Sequence, residues 1–286
     1  MTVSRSPDFS GMTVRLPVGL WVDGVRCREA SLRALSGSDE ETIGDASSWP
    51  SPAARVTALL AAAVMRLGTL APIGAEQIRA LTVLDRDTLL IALRQRLFGD
   101  RVQSTIVCPT ADCGKPIDLD FHLSDLPVPD RSDDTQRYEL AVDGRSVVYR
   151  LPNGGDQEAA AELAGTDMDQ AEQLILRRCV EDFDALSPDQ VVALQAEMAR
   201  RDPQLDTEFD AHCPECGRDF GVHFDIQDFL LREISGTRLQ LYRQVHTLAW
   251  YYHWSEAEIL AMPFQKRRIY LDLLSDLITE IEEARA

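Results

Sequence analysis

The sequence has no uninterrupted stretch of roughly 20 apolar residues, the length a helix needs to cross a bilayer. Its most apolar run, VTALLAAAVMRLGTLAPIG, is broken by Arg66 and by glycines. The start, MTVSRSPDFSGMTVRLP, lacks a basic head followed by an apolar core, so no secretory leader is expected, and a soluble protein in the reducing cytoplasm is. Basic residues are in deficit, 29 Lys and Arg against 47 Asp and Glu, a net charge of −18. That excess repels nucleic-acid phosphates and anionic membranes alike. Catalytic motifs are missing too. LPNGGD is not followed by Lys-Ser/Thr and reads as a turn rather than a phosphate loop, and neither a G-x-S-x-G elbow nor an H-E-x-x-H helix is present. An enzyme is the least favoured class.

Cysteine is sparse, six in 286 residues, and a chain of this length can bury a core without disulfide staples. In a reducing compartment such cysteines read as metal ligands or core residues. Cys27 and Cys179 stand alone in apolar surroundings and read as small core residues. The other four come in two pairs, Cys108 with Cys113 in VCPTADCGK and Cys213 with Cys216 in HCPECGR. Each pair has Pro after its first cysteine, which presets the backbone. Each has Gly after its second, Gly114 or Gly217, which permits positive φ so that amides can face the sulfurs.

The pairs sit in matching surroundings. Setting Cys113 on Cys216, an offset of 103, puts Phe121 on Phe224, Leu123 on Ile226, Asp125 on Asp228 and Leu126 on Phe229. Upstream, an offset of 105 puts Cys108 on Cys213 and Leu81-Thr82 on Leu186-Ser187, so a helix feeds each knuckle in the same way. Further back, WVDGVRCREASLRALSGSDEE resembles AVDGRSVVYRLPNGGDQEA, each a strand, an Asp-Gly turn, a strand and a Gly-rich turn into an acidic helix start. The expectation is an internal duplication. A flexible start covers 1–13, a first repeat 14–130 with its knuckle at 108–113, and a second repeat 136–230 with its knuckle at 213–216. A helical C-terminal region covers 231–286, and the polar VPDRSDDTQ forms the seam between the repeats. The fold class expected is α+β, two pseudo-repeats of hairpin, helices and knuckle joined in a zinc ribbon. One zinc per chain on Cys108, Cys113, Cys213 and Cys216 would have four thiolates and no open position, the mark of a structural site. Free thiols in turns are the plainer alternative. A thioredoxin-like pair is disfavoured, because strand-like alternation rather than a helix follows each pair.

The C-terminal region alternates apolar residues at helical spacing, Leu239, Tyr242, Val245, His246 and Ala249. Ser255 with Glu258 makes a capping box and Trp254 a staple before it. Lys266, Arg267 and Arg268 fall in the first turn of the last helix, where they oppose its dipole, so they read either as a solvated charge run or as partner contacts.

LTVLDRDTLLIALRQRLFGD with its following knuckle, and LAWYYHWSEAEILAMPFQKRRIYLDLL, resemble the baseplate hub assembly chaperone family of T-even-type phages, whose relatives occur in contractile-tailed phages and phage-tail-like contractile injection systems. The resemblance covers mainly residues 76–126 and 207–275. It implies no enzymatic activity. It implies a baseplate or hub protein as partner, met as a transient chaperone or as a built-in part, with Trp254, Arg267, Arg268 and Tyr270 as candidate contacts. The competing expectation, a zinc-ribbon adaptor in transcription or another nucleic-acid complex, fits the knuckles. It does not fit the acidic residues around them, Asp112, Asp118, Asp120, Asp210, Glu215, Asp219 and Asp225.

Overall fold

The structure is a computed structural model and describes residues 11–126, 128, 135–201 and 207–284. The expected flexible start lies outside these for residues 1–10, as does most of the expected seam at 128–136. The chain opens with a hairpin, β1 (Met12–Val22) and β2 (Val25–Leu32), turned by Asp23 and Gly24, both at positive φ. That is the geometry that suits a two-residue loop to the strand twist. The helices α1 (Gly37–Gly44) and α2 (Pro52–Ala63) follow, then β3 (Val64–Leu67), which pairs with β2. Next come α3 (Ala75–Ala80), α4 (Val83–Phe98) and the hairpin β4 (Arg101–Val107) and β5 (Pro116–His122). A second run also passes from hairpin through helices to hairpin, with no counterpart of β3 and with three helices: β6 (Tyr138–Val142), β7 (Arg145–Tyr149), α5 (Gly154–Ala164), α6 (Met168–Cys179), α7 (Pro188–Arg201), then β8 (Thr207–His212) and β9 (Asp219–Phe224). The chain closes with α8 (Ile226–Gly236), α9 (Arg238–Tyr252), α10 (Glu256–Leu260) and α11 (Phe264–Glu283). It is a mixed α+β fold with small antiparallel sheets.

The main core gathers β1–β3, α1, α2, α4 and α8, so that Leu16, Leu59, Leu84, Leu89, Leu230 and Ile234 share one interior. Within it α4 is buried on nearly every side, although its sequence carries several charges. Several of these charges have specific partners. The β1–β2 register breaks between Arg15 and Leu20, and the freed amides of Val18 and Gly19 donate to the two Asp85 oxygens at 2.8 Å each. Burial pushes the Asp85 carboxyl up to about 6 against the pull of those amides. Arg94 forks onto Glu233 of α8 and also holds the carbonyls of Gly99 and Arg101. Smaller cores lie under β6–β7 with α6 and α7, and between α9, α10 and α11.

Two hairpin–helix units are built alike. In the first, Ser36 and Asp39 form a capping box on α1 and Arg33 grips Asp39 with both nitrogens; in the second, Asn153, Asp156 and Arg150 do the same on α5. The turn of the second hairpin is again Asp-Gly at positive φ, Asp143 and Gly144. Each unit receives the start of a long helix. Thr82 bridges to Asn153 ahead of α4, and Pro263 bridges to Ser36 ahead of α11. Each helix then slides a fully buried arginine under the first glycine of the capped helix, Arg86 under Gly154 and Arg267 under Gly37. Matching Arg86 to Arg267 also matches Ile78 to Ile259 and Leu81 to Met262, so α10–α11 is a second edition of α3–α4.

This contact leaves no room for a side chain. A Cβ on Gly154 would lie 2.6 Å from Arg86 Cζ, and the guanidinium cannot retreat from Thr57 and the carbonyls of Ala53 and Ile78. Gly154→Ala should therefore cost about 1–3 kcal/mol, the range for overpacking a filled site. Gly165→Ala, in open space at an ordinary φ, should be neutral or slightly stabilising. Thermal melts of the two variants check this. Equal melting temperatures would contradict the contact.

The apolar stripe expected on α9 is rotated. Leu241, Gln244, Val245 and Leu248 face inward, whereas Leu239 and Tyr242 are exposed. Two faces of this helix carry enough apolar residues to serve, and packing against α1, α10 and α11 selects the one that meets them.

Candidate metal centre

The β4–β5 and β8–β9 hairpins end in the two cysteine turns. Their bases are fixed in the core by aromatic rings: Phe121 meets Phe209 at 4.7 Å and Phe224 at 5.1 Å between centroids, and Phe224 meets Phe229 at 5.3 Å. With the bases pinned together, the tips converge. The Cys108 amide donates to Lys115 O and the Cys213 amide to Arg218 O, both at 2.9 Å, so each turn is closed in the same way. Gly114 at φ 56° and Gly217 at φ 70° take the left-handed conformation that the sequence pattern anticipates.

The four sulfurs lie within 4.8 Å of one another. Cys108 Sγ is 3.8 Å from Cys216 Sγ, and Cys113 Sγ is 3.7 Å from Cys213 Sγ, each pairing one hairpin with the other. Four thiolates placed tetrahedrally about 2.3 Å from a central zinc stand about 3.8 Å apart. The donor set therefore fits a metal ion and can hold one. Cys108 and Cys213 are buried, Cys113 is half-buried and Cys216 is exposed, with Ile106, Ile117 and Phe220 packed alongside.

The thiols do not ionise alike without a cation. The Thr110 hydroxyl and amide draw Cys108 down to about 7. The Lys115 amide pulls Cys113 the same way, but burial and the sulfurs of Cys213, Cys216 and Cys108 outweigh it and push that thiol up to about 12. A bound dication would reverse the resistance. Loading therefore releases protons, and metal affinity should fall as pH drops from 8 to 6, which a competition titration with a chromophoric chelator would read. Thr110 is the residue that the sequence reading overlooked. It lies in the two-residue excess of the first knuckle, where its carbonyl takes the Cys113 and Gly114 amides and its hydroxyl lies 4.0 Å from Cys216 Sγ. The longer spacing was the visible signal.

The candidate partner contacts are placed differently from the metal set. Arg267 is fully buried: it donates to Glu40 Oε2 at 2.7 Å, Met262 O at 2.6 Å and Gln244 Oε1 at 3.1 Å. It is an interior residue, not a surface contact, because α11 enters over the N-terminus of α1. Trp254 is half-buried, stacked on Tyr252 at 4.7 Å and edge-on to Tyr270 at 4.8 Å, so the three rings close the C-terminal core. Arg268 is exposed. Trp250 is 70 % exposed, and Tyr251 is exposed as well. Cys27 and Cys179 are buried as expected. No helix among the described residues is long and apolar enough to cross a membrane.

A family model described as T4 bacteriophage base plate protein matches residues 69–231, more than half of the chain and inclusive of both cysteine turns. No curated protein and no solved structure matches the chain.

Proposed function

The chain belongs to the T4 bacteriophage base plate protein family, and from that premise we propose that it is a non-enzymatic assembly protein of a contractile tail or tail-like injection particle, binding a baseplate or hub component in the cytoplasm. The observation that carries this reading is the family match over residues 69–231. The tetrathiolate geometry supports a structural role for the matched segment, since a closed set of four sulfurs offers no coordination position for a substrate. We assign one structural zinc to Cys108, Cys113, Cys213 and Cys216, held as a zinc ribbon. The two pseudo-repeats at 14–130 and 136–230 contribute one knuckle each, and residues 231–286 form the C-terminal region.

Deleting the gene should yield particles without a proper baseplate, or none. Normal particles from the deletion strain would refute the assembly role. Mass spectrometry of purified mature particles separates the two forms of the role, since a built-in part is retained and a transient chaperone is not. The nucleic-acid adaptor reading predicts retention on heparin at low salt. The acidic flanks of the knuckles should instead let the protein pass unretained.

A further inference from the structure

Long helices of the α4 kind have two working surfaces. The start of the helix docks on one hairpin–helix unit through the bridge and the buried arginine, and its side carries the hairpin of another. α4 uses both. Its start lies on the second unit, with Arg86 under Gly154, and its side packs against β1, with Asp85 holding the Val18 and Gly19 amides. Thr88 and Ala92, on the same side as Asp85, are only 9 % and 8 % exposed. α7 uses one surface: its side packs against β6, with Leu194 and Met198 in one core with Tyr138 and Val147, and Arg201 lies 4.7 Å over the Tyr138 ring.

α11 also uses one surface, the other one. Its start is latched on α1 by Arg267. In register with Asp85, Thr88, Ala92 and Arg96 stand Lys266, Ile269, Leu273 and Leu277, and here all four are exposed. Leu273 and Leu277 are 55 % and 52 % exposed, Ile269 is exposed above them and Ile281 below. Scattered surface leucines are ordinary, but four apolar residues in line along one helix face form a contiguous patch, and such patches mark interaction sites. We propose that this face of α11 is the docking site for the apolar face of a two-stranded β-hairpin supplied by a different protein; that this protein is a baseplate or hub component rests on the function proposed above.

The occupant follows from the internal comparison, since the equivalent face of α4 is covered by a hairpin. Among the described residues a second copy of this chain has no hairpin to offer. β1–β2 lies on α4, β6–β7 on α7, and the other two hairpins are committed to the core through Phe121 and Phe224. Two chains of net charge −18 also repel each other. Charge further specifies the partner. Where Asp85 accepts strand amides, exposed Lys266 donates, with exposed Arg268 close by, so this end calls for carbonyls or a carboxylate. At the far end Asp276, Glu280, Glu282 and Glu283 call for basic side chains.

The test places a photo-crosslinking amino acid at Leu273 of the full chain in particle-producing cells, with peptide mapping of the product. In parallel, a Leu273→Glu, Leu277→Glu variant is supplied to the deletion strain. Both side chains are exposed, so the variant should keep its melting temperature. A cross-link to a strand residue in a hairpin of another protein, with loss of particles from the variant, supports the proposal. Binding of that protein should weaken at least about thirtyfold, as loss of a central interface anchor does. A cross-link to the chain itself, to a helix of the partner, or to nothing overturns it, as do normal particles from the folded variant. If the hairpin cross-link forms with a protein foreign to the particle, the docking face stands and the assembly role falls. If deletion abolishes particles and the variant restores them, the assembly role stands and the docking face falls.

Discussion

Cys213→Ser should lower the melting temperature by about 10 °C and leave a chain that no longer carries about one zinc per molecule by elemental analysis. A structural zinc contributes on the order of 10 kcal/mol in isolated fingers. In this chain the aromatic base keeps the hairpins attached without metal, so the loss is smaller, about half of that. At roughly 2 °C per kcal/mol for a chain of this size, the melting shift remains large. Because every close sulfur pair joins one hairpin to the other, hydrogen exchange should accelerate in β4–β5 as well as in β8–β9. Protection lost only in the turn at 213–217, or a fully folded protein that carries no metal, would contradict a shared site.

Arg267→Ala should be nearly as damaging, and Arg268→Ala should do almost nothing. The Arg267 guanidinium is the partner of Glu40, whose carboxyl burial raises above the ordinary carboxylate range while the arginine pulls it back. Removing the arginine leaves a buried acid without its cation, and breaking a buried pair from one side costs about 3–5 kcal/mol. It would also empty the space under Gly37 and loosen α11 from α1. Arg268 touches no ion-pair partner among the described residues, and a surface change there falls within about 0.5 kcal/mol. Denaturant unfolding of the two single variants reads the difference, and similar midpoints would overturn the placement of Arg267. A joint charge reversal at both positions, which the sequence alone presents as harmless to folding, should unfold the C-terminal helices.

That reversal marks where sequence reading stopped. The cysteine turns, the Asp-Gly hairpins and the Ser255–Glu258 cap were legible because each is a local device whose residue types and spacing carry the geometry. Three cations in a row carry no such information. Lys-Arg-Arg reads as a solvated run, and only the approach of α1 decides that the middle one is interior. The kinship of α10–α11 with α3–α4 was hidden for a related reason. Its signature is one arginine under one glycine, residues far apart in the chain, while the helix in the expected position, α7, has Val191 where the arginine would stand. The open face of α11 was invisible as well, because its leucines have the spacing of an ordinary core face and exposure is a property of what does not pack on them.

The two hairpin–helix units and the helices α4, α7 and α11 alternate in space as α11, first unit, α4, second unit, α7. Three against two is an odd sum, so both outer positions are of the same kind. A block with complementary ends can add copies of itself without limit, which is how heterologous contacts give fibres. Among the described residues this block has no complementary ends. It can receive a guest at its edge but cannot propagate, and raising its concentration should not make it grow.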